Sequence, residues 1–461
     1  MMKKTNVTRR QFLKRSGKAG IGAAALLGSA QMGMMASASA QTNNDYKALV
    51  CVLLAGGADS FNMLVPTDSA GYQEYKTTRT DLALPQSALL TLNNSENNGR
   101  TLGLHPQLTG LQGLYNQGKL AFLSNVGTLV EPTTPNMLHS GAAKLPLGLY
   151  SHSDQISQWQ TAVPDFRSGT GWGGRMADIL MAQNTNKRIS MSISTAGSNE
   201  FQGGRLTDFY NIVPGDTPAP TLNLDPTNNA DIQQAIDQMY GNANFTNVFR
   251  RAYTKVFNDS VSANTEFVDA IKAGQPISTS FGHDPFSQQL QVIARTIAAN
   301  QLLGMRRQTF FVTYGGWDHH DETIANMERM LKPLNDGLLA FQQAMQELGL
   351  EQNVTTFTSS DFARTLSSNG RGSDHGWGGN AMIMGGAVKG GSVYGTYPSL
   401  ALGNPLDTGR GVLMPTTSLD LYFSELAMWF GVSPAELGDI LPNLGRFHDV
   451  SRSGAPIGFM S

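Results

Sequence analysis

The chain has 461 residues, of which 40% are hydrophobic, 50 are glycine and 20 are proline. This apolar fraction is sufficient for a core, and the length suits one large α/β domain with insertions or two domains. The single cysteine, Cys51, excludes an internal disulfide and a cysteine-rich zinc site. Any metal must therefore be held by His, Asp, Glu or Asn side chains or by backbone oxygen.

The N-terminal segment, residues 1–40, has the features of an export signal. It contains seven Lys or Arg residues and no acidic residue, and the paired Arg9 and Arg10 precede a weakly apolar run. The Ala-x-Ala ending of residues 36–40 predicts cleavage before Gln41. A twin arginine in this position predicts that the folded protein is exported to the periplasm or secreted.

The remaining residues, 41–461, are expected to form the mature α/β domain. They carry a formal charge of −9, because the whole chain is −2 and the signal contributes seven positive charges. This acidic balance argues against binding of nucleic acid as the main function. No apolar run in this part has transmembrane length, so we expect no membrane span after removal of the signal.

Short apolar runs alternate with helical patterns along the mature chain. Five runs predict strands at Tyr46–Ala55, Lys119–Ser124, Thr309–Tyr314, Asn353–Thr358 and Ala381–Met384. Continuous apolar strands are typical of a parallel sheet that is covered on both faces. Helices are predicted at Leu108–Tyr115, Asp284–Leu303, Glu328–Leu348 (with a kink at Pro333), Thr417–Phe430 and Pro434–Ile440. The predicted fold class is α/β, with a central, mostly parallel sheet flanked by helices.

Residues 196–282 differ in composition from the rest of the chain. Pro214–Asn229 is polar and rich in Asn, Thr and Asp, and helical patterns follow in Ala230–Tyr240 and Phe245–Ala273. We interpret this part as an inserted polar and helical subdomain or cap.

Acidic and imidazole side chains follow the first, third and fourth predicted strands and precede the fifth. In doubly wound sheets, ligands bind beyond the carboxyl ends of the strands. Crowded carboxylates repel one another unless a divalent cation lies between them. We therefore predict a metal site with the ligands Asp59, Asp318, His320, Asp361, Asp374 and His375.

Each of these residues also has a purely structural interpretation. Asp59 and Asp361 follow strands and could each cap the next helix. Asp374 and His375 could form an ordinary hydrogen-bonded pair. The sequence alone leaves these alternatives open.

Ser151 lies at the start of a helical pattern that runs through Trp159. A hydroxyl at a helix N-terminus is close to backbone N–H groups and the helix dipole, and beside a metal it can act as a nucleophile. The alternative is an ordinary N-cap. His152 and Arg364 are expected to hold an anionic substrate. Three further side chains are predicted substrate contacts: Asn62, His105 and Trp317. The alternatives are that Trp317 belongs to the core and that His105, His152 and Arg364 make structural hydrogen bonds.

The chain resembles the bacterial family catalogued as domain of unknown function 1501. The resemblance rests on the stretches Leu53–Asp59, Gly103–Pro106, Ser151–His152, Gly315–Asp318, Ser360–Phe362 and Asp374–Gly376. That family is similar, more distantly, to the alkaline phosphatase and sulfatase superfamily. The resemblance implies a nucleophile at Ser151 and metal ligands at Asp59, Asp318, His320, Asp361 and His375.

Phe362 departs from the superfamily pattern, because the phosphatases have histidine after the corresponding aspartate. The resemblance therefore implies one divalent ion (zinc, calcium, magnesium or manganese) rather than two. The implied function is metal-dependent hydrolysis of a phosphate or sulfate ester, with an anionic small molecule or polymer as substrate. The alternative is a non-catalytic envelope protein that binds a glycan, a partner or a metal with the same fold.

Overall fold

A computed structural model describes residues 46–215, 245–449 and 454–461, together with residues 231, 234 and 238. The predicted signal in residues 1–40 and most of the predictions for residues 214–240 lie outside the described residues. Among the helices that are described, none is long and apolar enough to cross a membrane.

The described residues form one large mixed sheet and one small antiparallel sheet. In chain order, the strands are β1 (Lys47–Ala55), β2 (Leu64–Pro66), β3 (Leu90–Thr91), β4 (Leu102–Leu104), β5 (Leu120–Gly127), β6 (Ser192–Ser194), β7 (Tyr210–Asn211), β8 (Arg307–Gly315), β9 (Val354–Ser360), β10 (Gly379–Met384), β11 (Val393–Gly395) and β12 (Thr417–Ser418). The order in the large sheet is β11-β5-β10-β9-β1-β8-β6-β7, with β12 also paired to β5, and the small sheet is β2-β4-β3.

The described part of the chain also contains eleven α-helices. They are α1 (Ser60–Met63), α2 (Ser69–Arg79), α3 (Thr109–Asn116), α4 (Pro135–His139), α5 (His152–Thr161), α6 (Trp172–Leu180), α7 (Val248–Ala273), α8 (Pro285–Ala298), α9 (Thr323–Glu347), α10 (Leu419–Phe430) and α11 (Leu437–Ile440). Short 3-10 turns occur at Thr80–Leu82, Gln86–Ala88, Met181–Gln183, Pro434–Glu436 and Leu444–Arg446.

The central strand β1 separates two hydrophobic clusters, because strand side chains point alternately to opposite faces. Val50 and Val52 pack with residues of α2, α3, α7, α8 and α9. Leu49, Cys51 and Leu53 pack with residues of α5, α6, α10 and α11. The sheet is therefore covered by helices on both faces, which confirms the predicted α/β class.

All five predicted strands are present, as β1, β5, β8, β9 and β10. The sheet is mostly parallel, as predicted, but β10 runs antiparallel to both of its neighbours, β5 and β9. The amino end of β10 therefore lies at the edge where β1, β8 and β9 have their carboxyl ends. This direction brings the residues that precede β10 to that edge.

The predicted helices agree with the structure except in some of their bounds. Helix α9 begins at Thr323, five residues before its predicted start, and it continues through Pro333. The predicted helix at Pro434–Ile440 is a 3-10 turn followed by α11. The described helix in the predicted insertion is α7, whose Phe267 and Ile271 are buried in the first of the two clusters.

Asp420 is a buried carboxylic acid near the start of α10. It is 1% exposed, and its Oδ1 has no hydrogen-bond partner among the described residues. Burial raises the pKa of Asp420 from 3.8 to about 7, although its own backbone N–H and then Arg446 oppose the shift. The folded state therefore holds this proton in a pH range where the unfolded chain has released it.

Asp420→Asn is expected to stabilise the protein above pH 7 and to have little effect below about pH 4. A raised pKa contributes stability that is complete below pH 3.8 and is lost as the pH rises to about 7. One pKa unit corresponds to about 1.4 kcal/mol, so we expect a gain on the order of 2–4 kcal/mol at pH 8. Thermal unfolding of both proteins between pH 4 and 8 measures this difference, and parallel pH profiles would contradict it.

Candidate metal centre

The strands β1, β8 and β9 end at the same edge of the sheet. Ala55 is paired with Gly315 in β8, and Leu54 is paired with Ser360 in β9. The loops that follow these strands therefore leave the sheet side by side, and Arg364 in the loop after β9 forms a β-bridge with His375 before β10. This topology brings together four distant parts of the chain.

Gly56 permits the close approach of two of these loops. Its φ is +120°, and a Cβ atom there would lie only 2.5 Å from the backbone nitrogen of Asp318. Any other residue would therefore clash with backbone that cannot move aside without displacing Asp318. The glycine turn after β1 fixes the position of the loop after β8.

Three histidines surround the carboxylate of Asp318. The Nε2 atom of His152 lies 3.4 Å from Asp318 Oδ2, and the Nε2 atoms of His320 and His375 lie 3.0 and 3.4 Å from Oδ1. The Nε2 atom of His375 is also 3.1 Å from those of both His152 and His320. One ligand atom from each of His152, Asp318 and His375 lies within 4.8 Å of the other two. We call these four residues the His3Asp cluster.

The other nitrogen of each imidazole, Nδ1, faces a group that only accepts hydrogen bonds. The three pairs are His152 with Asp361 Oδ2 at 2.6 Å, His320 with Asp374 Oδ1 at 3.1 Å, and His375 with the Tyr150 carbonyl at 2.8 Å. Each Nδ1 must therefore carry the proton, and the Nε2 atom of a neutral ring presents its lone pair.

Lone pairs that face one another at about 3 Å repel unless a cation lies between them. Burial lowers the pKa of His375, while its hydrogen bond to the Tyr150 carbonyl works in the opposite direction. The lowered pKa favours the neutral ring, which can bind a metal through Nε2. An imidazole held through its second nitrogen by a carboxylate or carbonyl is the usual arrangement of a metal-binding histidine. The donor set of the cluster therefore fits a metal ion.

Arg364 supports the Asp318 carboxylate from inside the protein. Its side chain is 1% exposed, and Nη1 donates to Asp318 Oδ1 at 2.7 Å. It also donates to the carbonyls of Gly56 and Ser373. Burial opposes ionisation of Asp318, but the hydrogen bond and charge of Arg364 lower its pKa overall. The structure thus places Arg364 behind a potential ligand, where burial prevents the direct substrate contact expected from the sequence.

Asp361 lies behind the cluster rather than in it. Oδ2 accepts from His152, and Oδ1 accepts from the backbone N–H of Gly56 at 3.0 Å. The residue is fully buried, and no helix follows it that it could cap. Asp361 therefore orients His152 and holds the loop after β1, and it does not take the position of a direct ligand that we predicted.

Asp374 has the same relation to His320. Its Oδ1 accepts from His320 and from Asn369 Nδ2, and its Oδ2 accepts from Arg410. The hydrogen bond from Asn369, followed by those from Arg410 and His320, lowers the pKa of Asp374 far below its usual range. A permanently ionised carboxylate in this place fixes the Nδ1 proton of His320 and raises the basicity of Nε2.

If the His3Asp cluster holds a metal ion, Asp374→Asn is expected to bind the probe ion Zn²⁺ about 10- to 100-fold more weakly, the usual effect of removing a carboxylate that orients a ligand histidine. The measurement is a competition titration against a chelating dye. Asp321→Asn is the matched control, because Asp321 is an exposed carboxylate one residue from His320. Equal affinities of the two variants would contradict the assigned role of Asp374.

Asp59 forms a buried ion pair and is not among the residues whose ligand atoms lie within 4.8 Å of one another. It is 1% exposed and forms an ion pair with the fully buried Arg79, and its side chain makes no capping hydrogen bond to α1. Arg79 also donates to the carbonyl of Thr365 at 3.0 Å. A cationic partner already neutralises Asp59, so Asp59 is not part of the ligand set proposed below.

The three predicted substrate contacts are fully buried. Asn62 donates to the Leu82 carbonyl and accepts from the Tyr75 hydroxyl. His105 accepts from the backbone N–H of Gln107, and burial lowers its pKa to about 4. Trp317 belongs to the first hydrophobic cluster. These side chains therefore support the fold around the site and do not line its open face.

Ser151 is the N-cap of α5, and its Oγ accepts from the backbone N–H of Asp154. The capping interpretation therefore holds, although a nucleophilic role for the same hydroxyl is compatible with it. His152 is the first residue of the helix. Tyr150 has a left-handed backbone with φ of +74°, which is uncommon for a non-glycine residue. In this conformation the carbonyl of Tyr150 accepts the hydrogen bond from His375 Nδ1.

Phe362 closes one side of the cluster with an apolar ring. Its centroid is 4.8 Å from that of His152 and 4.5 Å from that of His375. The ring also lies where a Cβ on Gly57 would come within 2.5 Å of it, so this glycine is needed for the packing. Phe362 offers no ligand atom, which is consistent with the implied single ion.

The chain belongs to the family described as "Protein of unknown function (DUF1501)", whose model matches residues 46–408. This result confirms the family resemblance found in the sequence. No curated protein matches the chain.

Solved structures that match the chain include sulfatases and an alkaline phosphatase. The PsFucS1 sulfatase from Pseudoalteromonas sp. has 10% identity and a TM-score of 0.35, over 87% of this chain and 71% of that chain. The periplasmic domain of EcEptC from Escherichia coli, in complex with Zn, has 10% identity and a TM-score of 0.35, over 91% and 94%. The alkaline phosphatase PafA has 13% identity and a TM-score of 0.28, over 69% and 63%. At such low TM-scores the similarity carries no inference about activity.

Proposed function

We propose that the protein is an exported hydrolase of phosphate or sulfate esters that depends on one zinc ion. The observation that supports this proposal is the His3Asp cluster, in which three imidazole Nε2 atoms and one carboxylate converge while every Nδ1 is held by an acceptor. The export signal of residues 1–40 supports a periplasmic or secreted location.

The donor set favours zinc over the other divalent ions considered from the sequence. Zinc is bound well by imidazole nitrogen together with a carboxylate, whereas calcium and magnesium prefer oxygen ligands. The proposed ligands are His152, Asp318, His320 and His375.

The cluster is exposed to solvent on one side, so that an ester could reach a bound ion as an additional ligand. The side chains of Asp318 and His320 are 42% and 47% exposed, whereas Asp361 and Arg364 behind them are 1% exposed. A bound ion would supply Lewis-acid polarisation of an ester oxygen. The chain itself would direct the three Nε2 atoms towards the ion through the acceptors on Nδ1. Arg364 would hold Asp318 ionised.

Ser151 is the proposed nucleophile, because its hydroxyl lies at the N-terminus of α5 and directly precedes His152 in the chain. The N-terminus of a helix stabilises negative charge through free N–H groups and the dipole. A nucleophilic attack would form a bond from Oγ to phosphorus or sulfur and break the bond to the alcohol oxygen, which would gain the proton lost by Oγ. Water would then cleave the intermediate, release phosphate or sulfate and restore the hydroxyl of Ser151.

The test is metal analysis of the purified protein followed by turnover of 4-nitrophenyl phosphate and 4-nitrophenyl sulfate. One zinc per chain and hydrolysis that is lost after chelation would support the proposal. Ser151→Ala should keep its zinc and lose turnover by at least about 100-fold, whereas loss of a cap alone costs only about 1 kcal/mol of stability. Zinc without turnover of either ester would support the non-catalytic alternative, and absence of zinc would contradict the site itself.

A further inference from the structure

A cavity of about 240 Å³ is lined by residues of α5, the helix that begins with the cluster residue His152. It is formed by α5, the loop that follows this helix and the segment around Glu200. Ser153, the residue after His152, is one of the lining residues. The Ser153 hydroxyl is 3.2 Å from that of Ser151, the proposed nucleophile. The cavity is therefore linked to the cluster through the first turn of α5. We call it the α5 pocket.

The walls of the α5 pocket expose apolar surface to solvent. Phe166 is 53% exposed and Leu147 is 44% exposed, and both line the pocket. An exposed aromatic ring on a concave surface is a common feature of ligand sites, since apolar surface gains free energy when a ligand covers it.

The rim of the same pocket carries hydrogen-bonding groups of both kinds. Asp154 accepts from Arg167 at 3.2 Å, and Ser157 donates to Glu200. The two carboxylates and the one guanidinium sum to a single negative charge. This balance disfavours an anionic group in the α5 pocket and suits a neutral molecule with several hydroxyl groups.

We infer that the α5 pocket binds one sugar ring of a glycan whose ester group lies at the metal centre. A sugar ring has apolar C–H faces, which would pack against Phe166 and Leu147, and hydroxyl edges, which would bond to Asp154 and Glu200. The volume suits one ring, since pockets for drug-sized ligands measure roughly 300–1,000 Å³. The link to the metal centre rests on the proposed function, but sugar binding does not.

Binding of neutral disaccharides to the zinc-loaded full chain tests the α5 pocket without any need for turnover. The probes are cellobiose, lactose and diacetylchitobiose, observed by saturation-transfer NMR and titrated to obtain dissociation constants. At least one should bind, and Phe166→Ala should weaken it about 10-fold, which corresponds to about 1.4 kcal/mol. Leu402→Ala is the matched control, because it truncates a side chain that is 51% exposed and does not line the pocket.

The outcomes separate this inference from the proposed function. If none of the three sugars binds, or if Phe166→Ala and Leu402→Ala bind equally well, the α5 pocket is not a sugar site, whatever the protein does to 4-nitrophenyl esters. If a sugar binds and Phe166→Ala weakens it, the inference stands even where no ester is hydrolysed. Where esters are hydrolysed, Phe166→Ala should raise KM for sugar sulfates and leave kcat and the 4-nitrophenyl ester kinetics unchanged.

Discussion

His375→Asn is expected to abolish stoichiometric zinc binding and, with it, any ester hydrolysis. The Nε2 atom of His375 is central to the His3Asp cluster, at 3.1 Å from the equivalent atoms of His152 and His320 and 3.4 Å from Asp318. Removing a group that only orients a ligand weakens metal binding about 10- to 100-fold, so loss of a direct ligand should exceed about 100-fold. Metal analysis after dialysis and a chelator competition titration measure this loss.

His139→Asn provides the matched control for this variant. His139 is an exposed histidine at the end of α4 and belongs to none of the contacts of the cluster. It should keep one zinc per chain and the unfolding temperature of the parent protein. If His375→Asn also kept one zinc per chain, the His3Asp cluster would not be the metal site, and the short Nε2–Nε2 distances would have to be explained by protonated imidazoles that donate to Asp318.

The edge of the sheet where the site lies could be predicted from the sequence because strand ends are local features. Asp318 and Asp361 each follow an apolar run, and parallel pairing in register brings those ends together. The sequence also places His375 among these residues, although strand ends alone do not explain its position. This residue precedes a strand, and it reaches the site because β10 runs in the opposite direction.

The separate roles of the acidic residues in the site could not be predicted from the sequence. Asp361 and Asp318 have the same residue type and similar positions after their strands, yet one orients His152 and the other faces three imidazoles. The difference lies in side-chain directions over a few ångströms, which spacing along the chain does not determine. His152, assigned from its sequence position to an anionic substrate, belongs to the cluster for the same reason.

Other residues that support the site have no recognisable pattern in the sequence. Arg410 approaches Asp374 from a loop far along the chain, beyond the residues that match the family. Tyr150 acts through its carbonyl oxygen, which every residue type has. Arg79 lies in α2, and only the tertiary structure shows that it is buried beside Asp59. Such contacts depend on packing, which the pattern of apolar residues specifies only coarsely.

The buried ion pair of Asp59 and Arg79 leads to the second large expected effect, on stability. Both side chains are at most 1% exposed, and Arg79 joins the end of α2 to the carbonyls of Thr365 and Leu366. Arg79→Met should lower the free energy of unfolding by about 3–5 kcal/mol, because it leaves a buried carboxylate without a compensating charge. Urea unfolding followed by circular dichroism measures this change.

The double variant Asp59→Leu with Arg79→Met tests whether the uncompensated charge is the cause. Replacement of a whole buried ion pair by apolar groups is often neutral or stabilising, so the double variant should recover most of the loss. If it is as unstable as Arg79→Met, the loss comes from the hydrogen bonds of Arg79 to the Thr365 and Leu366 carbonyls instead. Asp59→Asn separates the structural role from the metal site, because it should keep one zinc per chain. Loss of zinc from a folded Asp59→Asn protein would contradict a purely structural role for Asp59.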